Sequence, residues 1–355
     1  MTRLLICAPD VFEGDAVGNH CLELAAMAKR SGWEPRIYAK GFDVAVSQVR
    51  PIETLFADVT SQDLLYVSYS IVTPDLDRLL ALPCRKICYY HGITDPALLR
   101  EFEPVTAGLC EEALLQLPKL AGFDLIVANS RHVAQDLAPY VDVAGIVVIP
   151  PVFDTLPTLA KTAIPRADPD SFNVLVLGRV VPHKRVEDAM EVFAHVVEGG
   201  VDATMTIVGS MPNYDYSKFV LKRARELGVL TRIDFTGMVD NADLLSSYDR
   251  ASLLLSMSRH EGFCIPALEA MHRGIPVVVR AGHAAAEVVD DAGLVVGDQE
   301  TAEQIAGRII ALRKDGARWD ALTRHARERA DTLLALTSWE HWSKVFDRAR
   351  RGTSA

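Results

Sequence analysis

No apolar run in this sequence is long enough to cross a bilayer, and no secretory leader opens it: Leu4-Leu5-Ile6-Cys7-Ala8 is short and Pro9-Asp10 ends it. A Walker loop is missing. So is a Gly-x-Gly-x-x-Gly turn: the first half offers Gly14 and Gly18, and the second has Gly178-Arg179 and then no glycine until Gly199. Nicotinamide- or flavin-dependent redox chemistry is therefore disfavoured. Short-period repeats and low-complexity tracts are absent. Cysteine is sparse, with Cys7, Cys21, Cys84, Cys88, Cys110 and Cys264. Cys84 and Cys88 lie four apart, but no second pair and no histidine pair completes a zinc site. All six are expected to stay reduced in a cytoplasmic chain, and Cys84 and Cys88 read as buried, small hydrophobic residues. Positive charge is also short: 37 Lys and Arg stand against 47 Asp and Glu, a formal charge of −10. Such a surface repels phosphate backbones, which argues against a nucleic-acid partner, and it grips an anionic membrane poorly.

What is present is ordinary globular composition, 49% hydrophobic and 24% charged over 355 residues, enough for two domains. Short apolar runs alternate with helical patterns. Strands are predicted at Leu4–Ala8, Arg36–Ala39, Leu64–Ser68, Lys86–Tyr90, Leu125–Ala128 and Ile146–Ile149. Helices are predicted at Asn19–Arg30, Asp95–Leu117 and Ser130–Ala138. The pattern then stops at Pro150-Pro151, Pro157, Pro165 and Pro169, which read as an extended linker. It restarts with strands at Asn173–Leu177, Thr204–Val208, Arg232–Phe235, Leu253–Ser256, Val277–Val279 and Leu294–Val296. The intervening helices are Val186–Val197, Ser217–Leu227, Ala242–Arg250, Pro266–Arg273 and Thr301–Arg313. Strand–helix alternation builds a parallel sheet covered on both faces. The expectation is two doubly wound α/β domains facing a cleft, with ligands beyond the carboxyl ends of the strands.

Two stretches carry chemistry. Gly178-Arg179-Val-Val-Pro182-His183-Lys184 follows a strand and opens a helix, so Arg179 and Lys184 sit where an anion would bind. The alternative is a solvated loop with two basic residues. Glu261-Gly262-Phe263-Cys264-Ile265-Pro266-Ala-Leu-Glu269 follows Leu253–Ser256. Gly262 permits a tight turn, and Pro266 suits the first helical position. The amides of Phe263, Cys264 and Ile265 would then face a diphosphate at a helix N-terminus, with Glu269 positioned for ribose hydroxyls and Glu261 for sugar hydroxyls. Taken alone, two glutamates eight apart read better as a helix-start acid and a surface acid.

In combination these residues resemble a known family. Gly-Arg…Pro-x-Lys, Val208-Gly209, Thr236-Gly237-Met238-Val239, Glu-Gly-Phe…Glu-Ala-Met and Gly274-Ile-Pro-Val look like the retaining glycosyltransferases of family 4, with the GT-B fold. Glu287…Asp291-Ala-Gly293-Leu294 fits too, and Trp339, Trp342, Val345 and Phe346 resemble that family's last helix, which returns to the first domain. The likeness is dense over 172–297. In the first half only Tyr90-His91-Gly-Ile and Val127-Ala-Asn129-Ser130 look alike.

The resemblance implies an acceptor-binding domain at 1–155 plus 337–355 and a donor-binding domain at 156–336. It implies transfer of a hexose from a GDP-mannose or UDP-glucose type donor to a glycan, lipid-linked or small-molecule acceptor. Arg179 and Lys184 match the diphosphate pair, with Gly178 beside them; Glu261 matches the acid near the transferred sugar and Glu269 the acid on the ribose. Gly262, Phe263, Cys264 and Ile265 match the loop facing phosphate and sugar, Met238 and Val239 the segment along the base, and Gly209 a strand end. His91 matches a histidine facing the transferred sugar; a strand-end histidine is its plainer reading. Two departures stand out. Glu13-Gly14-Asp15-Ala-Val-Gly18-Asn19 replaces a glycine pair, so Gly14 and Gly18 would approach phosphate while Asp15, and elsewhere Asn129, faces the acceptor. Arg185 stands where a glycine often follows the lysine.

No cofactor is expected. Asp75-Leu-Asp77 and Asp168-Pro-Asp170 fit a helix start and a linker better than a metal site, and two cations with a helix N-terminus can stabilise a leaving diphosphate instead. A sugar-nucleotide epimerase and a non-catalytic nucleotide-sugar binder remain open. Residues 1–150 hold 12 basic and 19 acidic residues, which places most of the negative charge in the acceptor half. Membrane association is therefore expected to be weak, at most peripheral to the inner membrane face.

Overall fold

The computed structural model describes residues 3–12, 14–43, 48–152 and 172–352. Glu13 and most of the proline-rich linker, with Asp168 and Asp170, lie outside them. The chain divides into two units: Met1–Ile93, Gly108–Thr155 and Leu333–Ala355 form the first, and Thr94–Ala107 with Leu156–Thr332 the second.

The first unit holds seven strands: β1 (Arg3–Val11), β2 (Glu34–Phe42), β3 (Val49–Pro51), β4 (Leu64–Tyr69), β5 (Arg85–Tyr90), β6 (Leu125–Ala128) and β7 (Val147–Val148). They pair in the order β3-β2-β1-β4-β5-β6-β7, every pair parallel. The second holds β8 (Phe172–Leu177), β9 (Ala203–Val208), β10 (Ile233–Gly237), β11 (Leu253–Ser256), β12 (Val277–Arg280) and β13 (Leu294–Val296). Their order is β10-β9-β8-β11-β12-β13, again all parallel. The central strands are apolar on both faces because helices cover both; Leu4, Leu5, Ile6, Leu64, Leu65, Tyr66 and Val67 have no exposed surface. Each sheet grows outward from its first strand and then resumes on the other side. It therefore has one switch point, β1/β4 in the first unit and β8/β11 in the second, where a crevice opens at the carboxyl ends.

The first unit's core is completed by the helix Trp339–Arg351. Trp342, Val345, Phe346 and Ala349 recur at helical spacing and are buried there, while Lys344, Arg348 and Arg351 occupy the outer face. Burying a large apolar side chain contributes roughly 1.5–3 kcal/mol.

Several elements differ from the sequence reading. The helix expected over Asp95–Leu117 is a short turn, Pro96–Leu98, followed by a helix Pro104–Gln116. Pro104 has no N–H to bond backward, so it starts a helix and cannot continue one. Thr94–Ala107 belongs to the second unit, not the first: Phe102 packs on Tyr216 and Phe219, and its carbonyl accepts from Asn213 Nδ2 at 2.6 Å. Ser130–Ala138 contracts to Arg131–Ala134 and one tighter turn, with Ser130 capping Val133 N at 3.2 Å. Strand β3 and the helices Ile52–Asp58 and Ala284–Val289 were not foreseen, being too short to show a period, whereas the helix Leu76–Leu80 begins where Asp75-Leu-Asp77 reads as a helix start.

Candidate functional site

At the second unit's switch point three strands end on glycines. Gly178 N donates to Val208 O at 2.9 Å, and Gly209 N to Gly237 O at 2.9 Å. Gly209 has φ 148°, and a β-carbon there would lie 2.0 Å from Gly178 O. No side chain fits, so the end of β9 comes directly against the Gly178-Arg179 turn. Among the described residues Arg179 has no ion-pair partner. Its charge still reaches Glu103: burial pushes that carboxyl up and Arg179 partly holds it back.

Lys184 ends the short turn Pro182–Lys184. Its Nζ donates to both oxygens of Glu261, at 2.7 and 2.8 Å, and Ser258 Oγ donates to Glu261 Oε1 at 2.7 Å. Burial alone would raise the Glu261 pKa; the Lys184 charge and these hydrogen bonds prevail and bring it to about 2. Gly178, Arg179, Lys184, Ser258 and Pro266 line one depression at the ends of β8 and β11. Arg185, the residue in glycine's usual place, takes the left-handed conformation glycine would, φ 50° and ψ 49°. Its guanidinium binds Asp188 at 2.8 and 3.2 Å and Glu187 at 2.9 Å, which offsets the roughly 1–2 kcal/mol cost of that conformation. The turn is preserved with a different residue.

The stretch after Glu261 turns on a residue other than Gly262. Cys264 is the left-handed one, φ 80°, and it precedes the helix Ile265–His272. Pro266 is that helix's second residue, one place later than the sequence suggested, where its missing N–H is equally harmless. A first helical turn leaves N–H groups without intrahelical partners, so Phe263, Cys264 and Ile265 stand at an anion-attracting terminus. Glu269 is buried within the helix, and Tyr248 Oη donates to its Oε2 at 2.6 Å. Met238 is 83% exposed just beyond β10, with Val239 half-buried beside it.

In the first unit Gly14 is left-handed, φ 81°, and its N–H donates to Asn19 Oδ1 at 3.1 Å. Gly18 is buried; a β-carbon there would lie 2.2 Å from Phe12 O. Asp15 caps the helix Ala16–Arg30, its Oδ2 accepting from Val17 N at 3.1 Å and Gly18 N at 3.3 Å. That carboxylate occupies the helix terminus itself. His91 follows β5, with Nε2 2.7 Å from Ser68 Oγ, and burial pulls its pKa down to about 3, so it is neutral at pH 7. Asn129 is 3% exposed; its Nδ2 donates to His91 O at 3.3 Å, and its Oδ1 has no partner.

Comparison with known proteins points to a family. Residues 160–329 match the model of "Glycosyl transferases group 1". That stretch, a little under half of the chain, is similar to a glycosyl transferases group 1 domain. Among curated proteins, the poly(glycerol-phosphate) alpha-glucosyltransferase of Bacillus subtilis is 26% identical over 181 residues, 50% of this chain and 26% of that protein. A GDP-mannose-dependent alpha-(1-6)-phosphatidylinositol dimannoside mannosyltransferase of Mycobacterium tuberculosis is 30% identical over 179 residues, 49% of this chain and 42% of that one. The chain spans between 26% and 55% of the length of the first of these relatives. Among solved structures, Anabaena HepE in complex with UDP and glucose superposes with a TM-score of 0.78 at 16% identity, covering 98% of this chain and 100% of that one. The fold is GT-B.

The matched stretch contains Arg179, Lys184, Met238, Glu261 and Glu269. Tyr248 and Ser258, which hold Glu269 and Glu261, went unnoticed in the sequence, since neither sits in a motif and Tyr248 reaches its partner across 21 positions. His20 was also missed. Buried, with Nδ1 accepting from Val152 N at 2.9 Å and its ring stacked on Tyr89 at 4.4 Å, it stands 5.8 Å from His91. The two acids of Asp75-Leu-Asp77 are engaged separately, by Arg78 at 2.6 Å and Lys119 at 2.8 Å. Among the described residues no group of three His, Cys, Asp or Glu is gathered as metal ligands would be, and no helix is long and apolar enough to cross a membrane. All six cysteines are buried.

Proposed function

We propose that this chain is a retaining glycosyltransferase of family 4. It moves a hexose from a nucleotide-diphosphate sugar, GDP-mannose or UDP-glucose in type, to a glycan, lipid-linked or small-molecule acceptor. The observation that carries this reading is the β8/β11 crevice. Arg179 without an ion pair, Lys184 on Glu261 and the terminus of Ile265–His272 meet there, at the crevice where a doubly wound sheet binds its ligand. The names of the relatives support it: one is a GDP-mannose-dependent enzyme, another a glucosyltransferase, and the solved neighbour holds UDP and glucose.

The chemistry follows from charge. As the bond between the sugar's anomeric carbon and the diphosphate oxygen breaks, negative charge collects on the diphosphate. Arg179, Lys184 and the helix terminus stabilise it without a metal, which makes those cations catalytic residues. The acceptor hydroxyl attacks from the face the diphosphate leaves, and its proton passes to a departing phosphate oxygen. Glu261, held ionised, accepts hydrogen bonds from sugar hydroxyls and is not the nucleophile. Glu269 and the Met238-Val239 backbone hold the ribose and base; Gly14, Gly18 and His91 are assigned to the donor, and Asp15 and Asn129 to the acceptor. The test is thermal shift and turnover against UDP-, GDP- and ADP-sugars. A true donor at 100 times its Kd stabilises by about 2.7 kcal/mol. Absence of a shift with every nucleotide sugar, or a trapped covalent sugar–Glu261 adduct, contradicts the proposal.

A further inference from the structure

The first unit's switch point is not empty of structure. At the carboxyl ends of β1, β2 and β4 lies a cavity of about 210 Å³. Its walls are Val67, Ile52, Ile71, Val72 and Leu109. An apolar cavity of roughly 150 Å³ is enough for a benzene ring. The wall formed by the segment after β4 is fixed in place: Gln116 accepts from Thr73 N at 2.9 Å, donates to Thr73 O at 2.9 Å, and accepts from Tyr69 Oη at 3.1 Å. The cavity is therefore preformed.

Its charges are few and opposed. Asp75 is bound by Arg78, which leaves Asp10 and Lys40 on the rim, neither with an ion-pair partner among the described residues. Asp10 tucks against β2 where Gly41 leaves room; a β-carbon on Gly41 would lie 2.2 Å from Asp10 Oδ1. One carboxylate and one ammonium cancel, so the rim has no affinity for a net charge, yet each can hold a hydroxyl. A diphosphate has no place here.

We propose that this cavity seats the apolar part of the acceptor. The acceptor is an uncharged hydroxyl compound bearing a compact apolar group of about the size of a phenyl ring. The apolar group lies between Val67, Ile71, Val72 and Leu109, and the hydroxylated end faces Asp10 and Lys40. Only the word acceptor rests on the transferase reading above; the preference for an apolar group rests on the cavity.

The test uses the full chain and paired probes, phenyl and methyl glycosides of glucose and mannose, titrated by ligand-observed NMR. At least one phenyl member binds tenfold or more tighter than its methyl partner. Filling the cavity with Ile71→Trp, or from its more exposed side with Leu109→Trp, erases that preference and leaves the UDP or GDP thermal shift of the wild type in place. Equal binding within every pair, no detectable phenyl binding at 10 mM, or a preference that survives in a folded Trp variant overturns the proposal. The nucleotide shift reports on the second unit separately. A chain with the phenyl preference and no nucleotide shift keeps the cavity assignment and loses the donor reading.

Discussion

The first sheet reverses its growth between β1 and β4, the second between β8 and β11, and each opens a crevice at the same topological place. One crevice is walled by Val67, Ile71 and Val72 with an acid and a lysine at its rim. The other presents Arg179 and Lys184, with a serine and a carboxylate behind them. The strand frame is common to both; the difference lies in the few residues following each strand. At β8 and β9, glycines bring backbone against backbone so that Arg179 and Lys184 are held close. At β4, the apolar Ile71-Val72 segment is pinned by one glutamine. A sheet of this kind fixes where a ligand goes, and its loop chemistry fixes which ligand.

The sharpest way to break this contrast is Lys184→Ala. Losing one group from the diphosphate site costs about 10²–10³ in turnover, or ~3–4 kcal/mol, while the first-unit probes bind as before; near-normal turnover removes Lys184 from the site. Gly209→Ala comes next. Its β-carbon has nowhere to go but into Gly178, so we expect a loss of about 3 kcal/mol or more in denaturant unfolding together with loss of nucleotide binding. Gly18→Ala makes a clash of the same kind in the first unit, 2.2 Å from Phe12 O and 2.7 Å from Phe12 N, both backbone atoms, so a comparable loss of about 3 kcal/mol is expected, and with Gly18 assigned to the donor nucleotide affinity falls as well.

Acid separates the units further. Glu261 has its pKa lowered from 4.5 to about 2 in the folded chain, so the unfolded chain binds the extra proton between these values. Its stabilising contribution, about 3 kcal/mol, is present above pH 4.5 and disappears as pH falls through about 2. Glu261→Gln therefore flattens acid unfolding in that window, and an unchanged curve dissolves the Lys184–Glu261 assignment. His91, by contrast, is already neutral at pH 5, so the pH dependence of kcat/KM has no limb near 6.5 from this residue. The smallest effect is Cys264→Gly, which relieves a left-handed residue worth about 1 kcal/mol but gives up buried thiol packing. Stability should move by less than about 1 kcal/mol, with nucleotide affinity unchanged.

Much of this frame is visible in the sequence because a strand buried on both faces is written as an uninterrupted apolar run. Leu125–Ala128, Leu253–Ser256 and Leu294–Val296 keep the same bounds in the structure. Short or bent elements are not visible. Val49–Pro51 is three residues long, and the prolines at 96 and 104 divide what reads by hydropathy as one helix. The candidate site divides in the same way. Arg179, Lys184, Glu261 and Glu269 lie in motifs, but Tyr248 reaches Glu269 across 21 positions, and Ser258, though only three residues before Glu261, belongs to no motif that would mark it. The left-handed turn before Ile265 also misleads: glycine is the residue one looks for, and the chain uses Cys264. Asp15, expected on the acceptor side, also caps its own helix, a second role its motif does not announce.

The helix Trp339–Arg351 bears on the history of each molecule as it is made. Trp342, Val345 and Phe346 fill the core beneath β1, β4 and β5, so the half of the chain synthesised first cannot close its interior until the stretch from Trp339 onward has left the ribosome. The second unit's buried core ends at Ala330, ahead of that helix. It can be complete while its older neighbour still exposes an open apolar face, which makes nascent chains stalled before Trp339 the form of this protein most in need of a chaperone.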